Sequence, residues 1–379
     1  MSSSLKEGWE VRKLGEVCEI YNGSTPLRTK KEYWEDGTIN WFTINDIRNQ
    51  GRVIEYTRQT ISENGFKNSS LKILPINTIL LCCTASVGEY AITKIELTTN
   101  QQFNGLVIKD TKQLLPKFLY YFSSTLKNIL LNLSGKATID FVSMTKLKKI
   151  EVPVPPLKEQ EKIVALLDEA FLAMERAKTN AELNLQNAKE LFESYLQAVF
   201  ENRGEGWEEK NFDEICVLQR GFDLPKRLRV SGDYPLMSSN GETDRINIWK
   251  VKAPGVITGR SGTIGKVHFI KEDFFPLNTS LYIKEFHGNY EEFIYYFLKQ
   301  FNLEKYSSGA GVPTLNRNNV HCKKVWFIKS KEEQKTIVKK LNTLQAQTEK
   351  LESIYTQKLL DLKELKKSIL QKAFNGELI

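Results

Sequence analysis

Gly8-Trp9-Glu10, Leu14-Gly15-Glu16-Val17-Cys18 and Gly23 return as Gly206-Trp207-Glu208, Phe212-Asp213-Glu214-Ile215-Cys216 and Gly221, with no gap between the anchors. Working outward, Phe118-Leu119-Tyr120-Tyr121-Phe122 is answered by Phe293-Ile294-Tyr295-Tyr296-Phe297, and Ser134-Gly135 by Ser308-Gly309. Lys148-Lys149-Ile150 is answered by Lys323-Lys324-Val325, and Glu159-Gln160-Glu161-Lys162-Ile163-Val164 by Glu333-Gln334-Lys335-Thr336-Ile337-Val338. The segment from Ser194 to Phe200 matches the one from Ser368 to Phe374. The period of roughly 175 to 200 residues is far longer than a solenoid repeat, so each unit has room for a globular domain with its own core plus an appended element. Two like domains imply two like sites.

Each repeat changes character partway along. From Gly8 to Val154, short apolar, β-branched stretches such as Ile73–Cys83 and Tyr90–Ile95 alternate with turn signals at Asn22-Gly23, Asp36-Gly37 and Asn64-Gly65. An aromatic-rich helical patch, Lys117–Leu133, lies near the end. Gly206 to Ile328 repeats the plan, with Tyr290–Phe301 as the matching helix. After Pro153-Val154-Pro155-Pro156, which blocks helix, neither Pro nor Gly occurs until Gly204, and Lys331–Phe374 is equally free of both. A helix of about 45 residues is on the order of 65 Å long. The chain therefore divides into a domain over residues 1–155, a rod over 156–203, a second domain over 204–330 and a second rod over 331–379.

The seams of the rods predict what they pack against. Ile163, Leu167, Ala170, Met174, Ala177 and Ala181 alternate at four and three, and Leu185, Ala188, Phe192, Tyr195 and Val199 resume after one stutter. The second rod carries Ile337, Leu341, Leu344, Thr348, Leu351, Tyr355, Leu359, Leu362, Ile369 and Ala373. One seam is alanine-rich and the other leucine-rich, so small residues on one helix leave room for large ones on the other, which favours pairing within the chain. The alternative has each helix on its own domain or on another protein. Only Glu201–Glu205 separate the end of the first rod from the second domain, which favours an antiparallel pair. The expected fold is α+β: two repeated mixed domains separated by two long helices forming an antiparallel intramolecular coiled coil, pseudo-two-fold symmetric.

Composition narrows the function classes. A net charge of +8 favours a polyanionic partner. Met1–Lys6 lacks the apolar core of a signal peptide and no apolar run approaches the ~18 residues of a membrane span, so the expectation is a cytoplasmic protein without membrane contact. Five cysteines without a CxxC pair argue against disulfides and zinc. Cys18 and Cys216, at matching positions in apolar runs, read as buried small hydrophobes, and the adjacent Cys82 and Cys83 point to opposite faces of a strand.

At this point the residues resemble the specificity subunits of type I restriction and modification enzymes, over essentially the full length. The resemblance is carried by Gly8-Trp9-Glu10 with Leu14-Gly15-Glu16 and their echo, by Pro153-Val154-Pro155-Pro156-Leu157-Lys158-Glu159-Gln160 with Ile163, and by Ser368-Ile369-Leu370-Gln371-Lys372-Ala373-Phe374-Asn375-Gly376-Glu377-Leu378. It implies two target recognition domains, rods along which two modification subunits dock, and a bipartite double-stranded DNA target whose parts flank a nonspecific spacer. It also implies restriction subunits carrying motor and nuclease. The second half departs from the pattern, with Ile328-Lys329-Ser330-Lys331 where the first has its double proline.

Catalytic signatures are lacking. Adenine methylation needs an Asn/Asp-Pro-Pro-aromatic loop, whereas Pro155-Pro156 lies between Val154 and Leu157. The stretch Gly259 to Val267 has five residues between Gly259 and Gly265 and Val267 where a phosphate-cradling loop has Ser or Thr, and Thr84 to Glu89, its counterpart, has no lysine. Both read as turns between strands. His268, His287 and His321 all fall in the second half, so no duplicated site uses them. The expectation is a non-catalytic protein without cofactor or metal; S-adenosylmethionine, ATP and Mg belong to the partner subunits. The competing expectation is a coiled-coil scaffold without sequence-specific DNA binding.

Recognition then rests on loop residues able to match donors and acceptors in the major groove. In the first domain these are Arg28, Lys30, Lys31, Thr43, Asn45, Thr84, Ser86, Asn100, Gln101 and Gln102. In the second they are Arg220, Lys226, Arg227, Arg229, Ser238, Ser239, Asn240, Arg260, Ser261, Asn278, Thr279, Asn316 and Arg317.

Overall fold

A computed structural model describes residues 6–134, 141–309 and 311–379. Gly135 of the repeat and the first five residues of the chain lie outside the described residues. Two compact units emerge, Met1–Asn180 with Leu359–Ile379, and Ala181–Lys358.

In the first unit the apolar run near Leu80 becomes a strand buried on both sides. Ile79, Leu81 and Cys83 face one core while Leu80 and Cys82 face another, as the two-residue period of a strand requires. This strand, Ile79–Cys82, sits at the centre of a five-stranded sheet in the order Cys18–Asn22, Phe103–Ile108, Ile79–Cys82, Tyr90–Thr93, Val53–Ile54. A three-stranded sheet, Gln59–Ile61, Ile39–Phe42, Thr98–Thr99, lies beside the second core. The aromatic patch forms two helices, Pro116–Ser123 and Lys127–Ser134, rather than one. The Asn64-Gly65 turn signal lies instead inside the short helix Glu63–Lys67, where the Ser62 hydroxyl accepts the Gly65 N–H.

The second unit repeats this alternation. Val256 faces one core and Ile257 another, and Leu281 and Ile283 oppose Tyr282. Its four-stranded sheet runs Val217–Arg220, Ser280–Glu285, Gly255–Gly259, Val267–Ile270, against the helix Glu291–Gln300. The stretches Gly259 to Val267 and Thr84 to Glu89 are both turns between antiparallel strands, as expected. Cys18 and Cys216 are buried, and burial pushes the Cys18 thiol up to about 12, so both behave as small hydrophobes.

Both rods form as single helices, Leu157–Glu201 and Lys331–Asn375. Each contributes to both units. In the first unit, Ile163 and Leu167 near the start of the first rod share a core with Leu370, Ala373 and Phe374 near the end of the second, so the helices run antiparallel. The Phe374 ring packs at 5.3 Å against both Phe118 and Phe122, fixing the pair to the domain. In the second unit the converse ends meet: Phe192, Leu196 and Phe200 share a core with Val338 and Leu341. Here the seam departs from expectation. Tyr195 is exposed, while Leu196 and Phe200 are buried because the last turns face the aromatic cluster of Phe293 and Phe297 as well as the other rod.

Each rod is joined to its domain by the same device. Gln160 is fully buried; its Oε1 accepts the Leu115 N–H at 2.9 Å and its Nε2 donates to the Gln113 and Pro155 carbonyls at 2.8 Å. Gln334, also fully buried, accepts the Tyr290 N–H at 2.8 Å and donates to the Ile328 carbonyl and Asn289 Oδ1. About two turns further along each rod, Tyr121 donates to Asp168, and the Tyr296 hydroxyl lies within hydrogen-bond distance of Asn342 and of Gln345. Ser330 serves where the double proline is missing: its hydroxyl accepts the Glu333 N–H at 3.3 Å, so the second rod starts at Lys331.

Candidate nucleic-acid interface

Two glycines at matching repeat positions assemble the loops of each domain. A Cβ on Gly23 would overlap the carbonyl oxygens of Asn100 and Thr99, and one on Gly221 those of Leu277 and Pro276. Only glycine lets the chain after the first sheet strand lie against the opposing turn. In the first unit Ser24 N–H then donates to the Thr99 carbonyl, Thr25 Oγ1 to Gln101 Oε1, and Asn100 N–H to the Phe42 carbonyl. Cys83 N–H donates to the Gln102 carbonyl. Loops 22–28, 84–86 and 100–102 and the helix start at 43–45, far apart in sequence, thereby meet at one rim.

Within that rim the predicted residues divide by occupation. Arg28, Lys30, Lys31, Asn45 and Gln101 are exposed. Thr84 and Ser86 are half-buried on the turn facing Lys127, and Gln102 is half-buried too. Thr43 is buried and caps the helix Ile44–Gln50, its N–H and hydroxyl both donating to Asp46. Asn100 is buried, with Nδ2 donating to Gln102 Oε1 and Oδ1 accepting the Gln102 N–H, so it shapes the turn. Lys30 Nζ donates to the Tyr33 hydroxyl at 3.1 Å.

The second unit builds an equivalent rim. Arg260 and Ser261 N–H groups donate to the Thr279 carbonyl, and Arg260 Nη1 reaches the Asn278 carbonyl at 3.2 Å. Arg220 pairs with Asp223, which also accepts from Asn278 Nδ2. Ser238 turns the hairpin by accepting the Asn240 N–H; Asn240 Oδ1 accepts from Lys266, and Ser239 lies next to Gly262. Lys226 and Arg227 stand exposed on the short turn Lys226–Leu228, while the Arg229 guanidinium donates to the Leu224 carbonyl. Asn316 caps Arg317–His321, and Arg317 donates to Gln219 and the Leu218 carbonyl behind the rim. Thr279 Oγ1 is buried and has no hydrogen-bond partner among the described residues.

Several participants escaped the sequence reading. Asp223 tethers Arg220, Lys266 extends the Asn240 hairpin, and Trp34 and Trp41 flank Arg28. Asp223 and Trp34 are near neighbours of the arginines they engage, whereas Lys266 and Trp41 act through contacts across the fold that no local signature announces. Among the described residues no group of His, Cys, Asp and Glu is arranged to hold a metal ion, and no helix is long and apolar enough to cross a membrane. His321 is structural: its Nε2 accepts the Leu218 N–H at 3.0 Å, and burial lowers its pKa.

The family model described as "Type I restriction modification DNA specificity domain" matches residues 6–185 and again 204–360. The chain is 32% identical over 240 residues to the type I restriction enzyme MjaIX specificity subunit of Methanocaldococcus jannaschii, covering 59% of this chain and 55% of that protein. It is 28% identical over 331 residues to the EcoprrI specificity subunit of Escherichia coli, 82% of each. The chain thus spans about half the length of the first relative and most of the second. Among solved structures, a chain from work on assembly and conformational transition of the type I R-M system superposes with a TM-score of 0.81 at 18% identity, covering 99% of this chain and all of that one. The HsdS subunit from Thermoanaerobacter tengcongensis gives 0.69 at 19% identity, covering 100% and 99%. These two likenesses bear on the fold.

Proposed function

The chain belongs to the family of type I restriction modification DNA specificity domains, and from that premise we propose that it is the address-reading subunit of a type I restriction-modification complex. Each domain reads one short part of a bipartite target in double-stranded DNA, and the rods hold the two parts at a set spacing. Two modification subunits dock on the rods and methylate one adenine per part; restriction subunits join them to cleave unmodified DNA. S-adenosylmethionine, ATP and Mg act in those partners, and the protein works in the cytoplasm. The observation that carries the reading is that the family match occurs twice, each time over a domain whose loops gather cationic and amide side chains at one glycine-assembled rim. Such side chains suit phosphate positioning and base-edge readout. Leu166, Leu172, Leu183 and Leu191 are exposed on the first rod, in keeping with partners that cover it.

The test is adenine methylation by the purified modification subunits with and without this chain, mapped across a genome. A two-part methylated motif that appears only with the chain supports the reading. Methylation by the chain alone would make it an enzyme, and an unchanged choice of target would leave only a scaffold. Arg260→Ala is expected to alter one part of the motif and leave the other intact.

A further inference from the structure

Arg28 differs from Arg220, Arg229, Arg260 and Arg317 in being held by aromatic rings while, among the described residues, nothing accepts from its guanidinium. Its guanidinium carbon lies 3.6 Å from the centroid of the Trp34 ring and 4.7 Å from that of Trp41. The two indoles meet edge to face, 4.9 Å apart at 86°. Their N–H groups secure the same loop: Trp34 Nε1 donates to the Leu27 carbonyl at 3.2 Å and Trp41 Nε1 to the Ser24 carbonyl at 3.1 Å. Trp41 is buried, Pro26 is buried between the two tethered carbonyls, and Leu27 is 62% exposed. The loop is therefore anchored at both ends of Ser24–Leu27, immediately before the arginine.

Among the described residues no carboxylate, carbonyl or hydroxyl accepts from the Arg28 guanidinium, whereas Arg220 donates to Asp223, Arg229 to Leu224, Arg260 to Asn278 and Arg317 to Gln219. A guanidinium is planar, permanently charged and carries five N–H donors in a fixed fork. Stacking on an indole fixes its plane without using any of those donors. An unpaired fork, exposed and immobilised in advance, fits an acceptor pair on a ligand. In duplex DNA the pair that matches it is O6 and N7 of guanine in the major groove.

We propose that Arg28 is the residue with which the first domain reads a guanine, and that Trp34 and Trp41 are positioning residues that set its fork before DNA arrives. This inference rests on the recognition function proposed above. Its preorganised geometry separates it from Lys30 and Lys31, which are point charges on flexible stems suited to phosphate.

The experiment uses the full chain assembled with its modification subunits. Adenine methylation is mapped for the wild type and for Arg28→Lys, Arg28→Ala, Trp34→Leu and, as a second-domain control, Arg260→Ala. The wild-type motif is expected to contain a G·C pair in the part that Arg260→Ala leaves unchanged. Arg28→Lys and Arg28→Ala should each reduce the preference for that pair about five- to 150-fold, the discrimination of one bidentate contact. Trp34→Leu should relax the same position and no other. Thermal midpoints within about 2 °C of wild type would show that Arg28 does not act by holding the loop together. Wild-type preference retained by Arg28→Lys overturns the proposal. So does a uniform loss at all sites with a salt slope reduced by about one phosphate, since that is the signature of a backbone contact. A wild-type chain that directs no sequence-dependent methylation overturns the recognition function itself, and this inference with it.

Discussion

Replacing Gln160 by Leu should uncouple the first rod from its domain at small steric cost. The two side chains are similar in volume, so the change is chiefly electrostatic. It removes the acceptor of the Leu115 N–H and the donor to the Gln113 and Pro155 carbonyls, at a position closed to solvent. A buried polar group left unpaired costs about 1–3 kcal/mol, and three groups at the lower half of that range give roughly 3–6 kcal/mol. The first unit has about 200 residues, a size at which each kcal/mol shifts the midpoint by about 2–4 °C, so its transition should fall by roughly 6–24 °C. Gln334→Leu strands two backbone groups and the Asn289 side chain, which is only half-buried. The groups that Gln160 serves are no more enclosed, Leu115 being half-buried and Gln113 exposed, so the loss should be of similar size, roughly 3–6 kcal/mol, and fall on the second unit. Calorimetry resolves the transitions, and hydrogen exchange at the Leu115 and Tyr290 amides reports the joints directly. A midpoint shift under 2 °C with the Leu115 amide still protected would refute the claim that this glutamine holds rod and domain together.

Gly23→Ala and Gly221→Ala are each expected to disorganise one rim, because the added Cβ meets backbone carbonyls that have no room to retreat. Methylome maps should show loss of one part of the motif per variant; loss of neither would mean the rims are not the reading surfaces. Acid should weaken the second unit first. Burial lowers the pKa of His321, whose Nε2 must stay unprotonated to accept the Leu218 N–H. The stability it contributes is present above its ordinary value of 6.5 and is lost as pH falls toward the lower folded value. The first unit contains no histidine, and thermal melts between pH 7 and 5 should show a preferential drop in the second that is reduced in His321→Gln. Four residues inserted after Ala181 should lengthen the tolerated spacer or abolish activity without altering either recognised part, and altered bases in the methylated motif would contradict the division of labour between rods and domains.

Much of the fold is legible in the chain itself because its signals are local. The duplication is a matter of register. The absence of Pro and Gly after Pro156 and after Lys331, together with a seam of threes and fours, makes each run a helix whatever surrounds it. The alternating destinations of Ile79 to Cys83 follow from strand geometry alone. Where the outcome depended on which of several available partners, near or distant, a group finds on folding, the chain was silent or misleading. Tyr195 continues the heptad on paper, yet Leu196 and Phe200 are buried, because a helix turns toward the largest apolar surface offered to it and here that is the aromatic core of the second domain. Asn64-Gly65 reads as a turn but is helical once the Ser62 hydroxyl supplies a cap. Thr43 and Asn45 are near neighbours of the same polar class. One is buried as a cap and the other faces solvent, a choice made by Asp46 and the packing behind it. The same holds for Arg28, since nothing adjacent to it in sequence distinguishes it from Lys30 or Lys31. The amino-acid order determined the duplication, the rods and the strands; tertiary structure decided which side chains are engaged and which remain free, because a hydrogen bond or a stacked ring is settled by groups the chain brings together only when it folds.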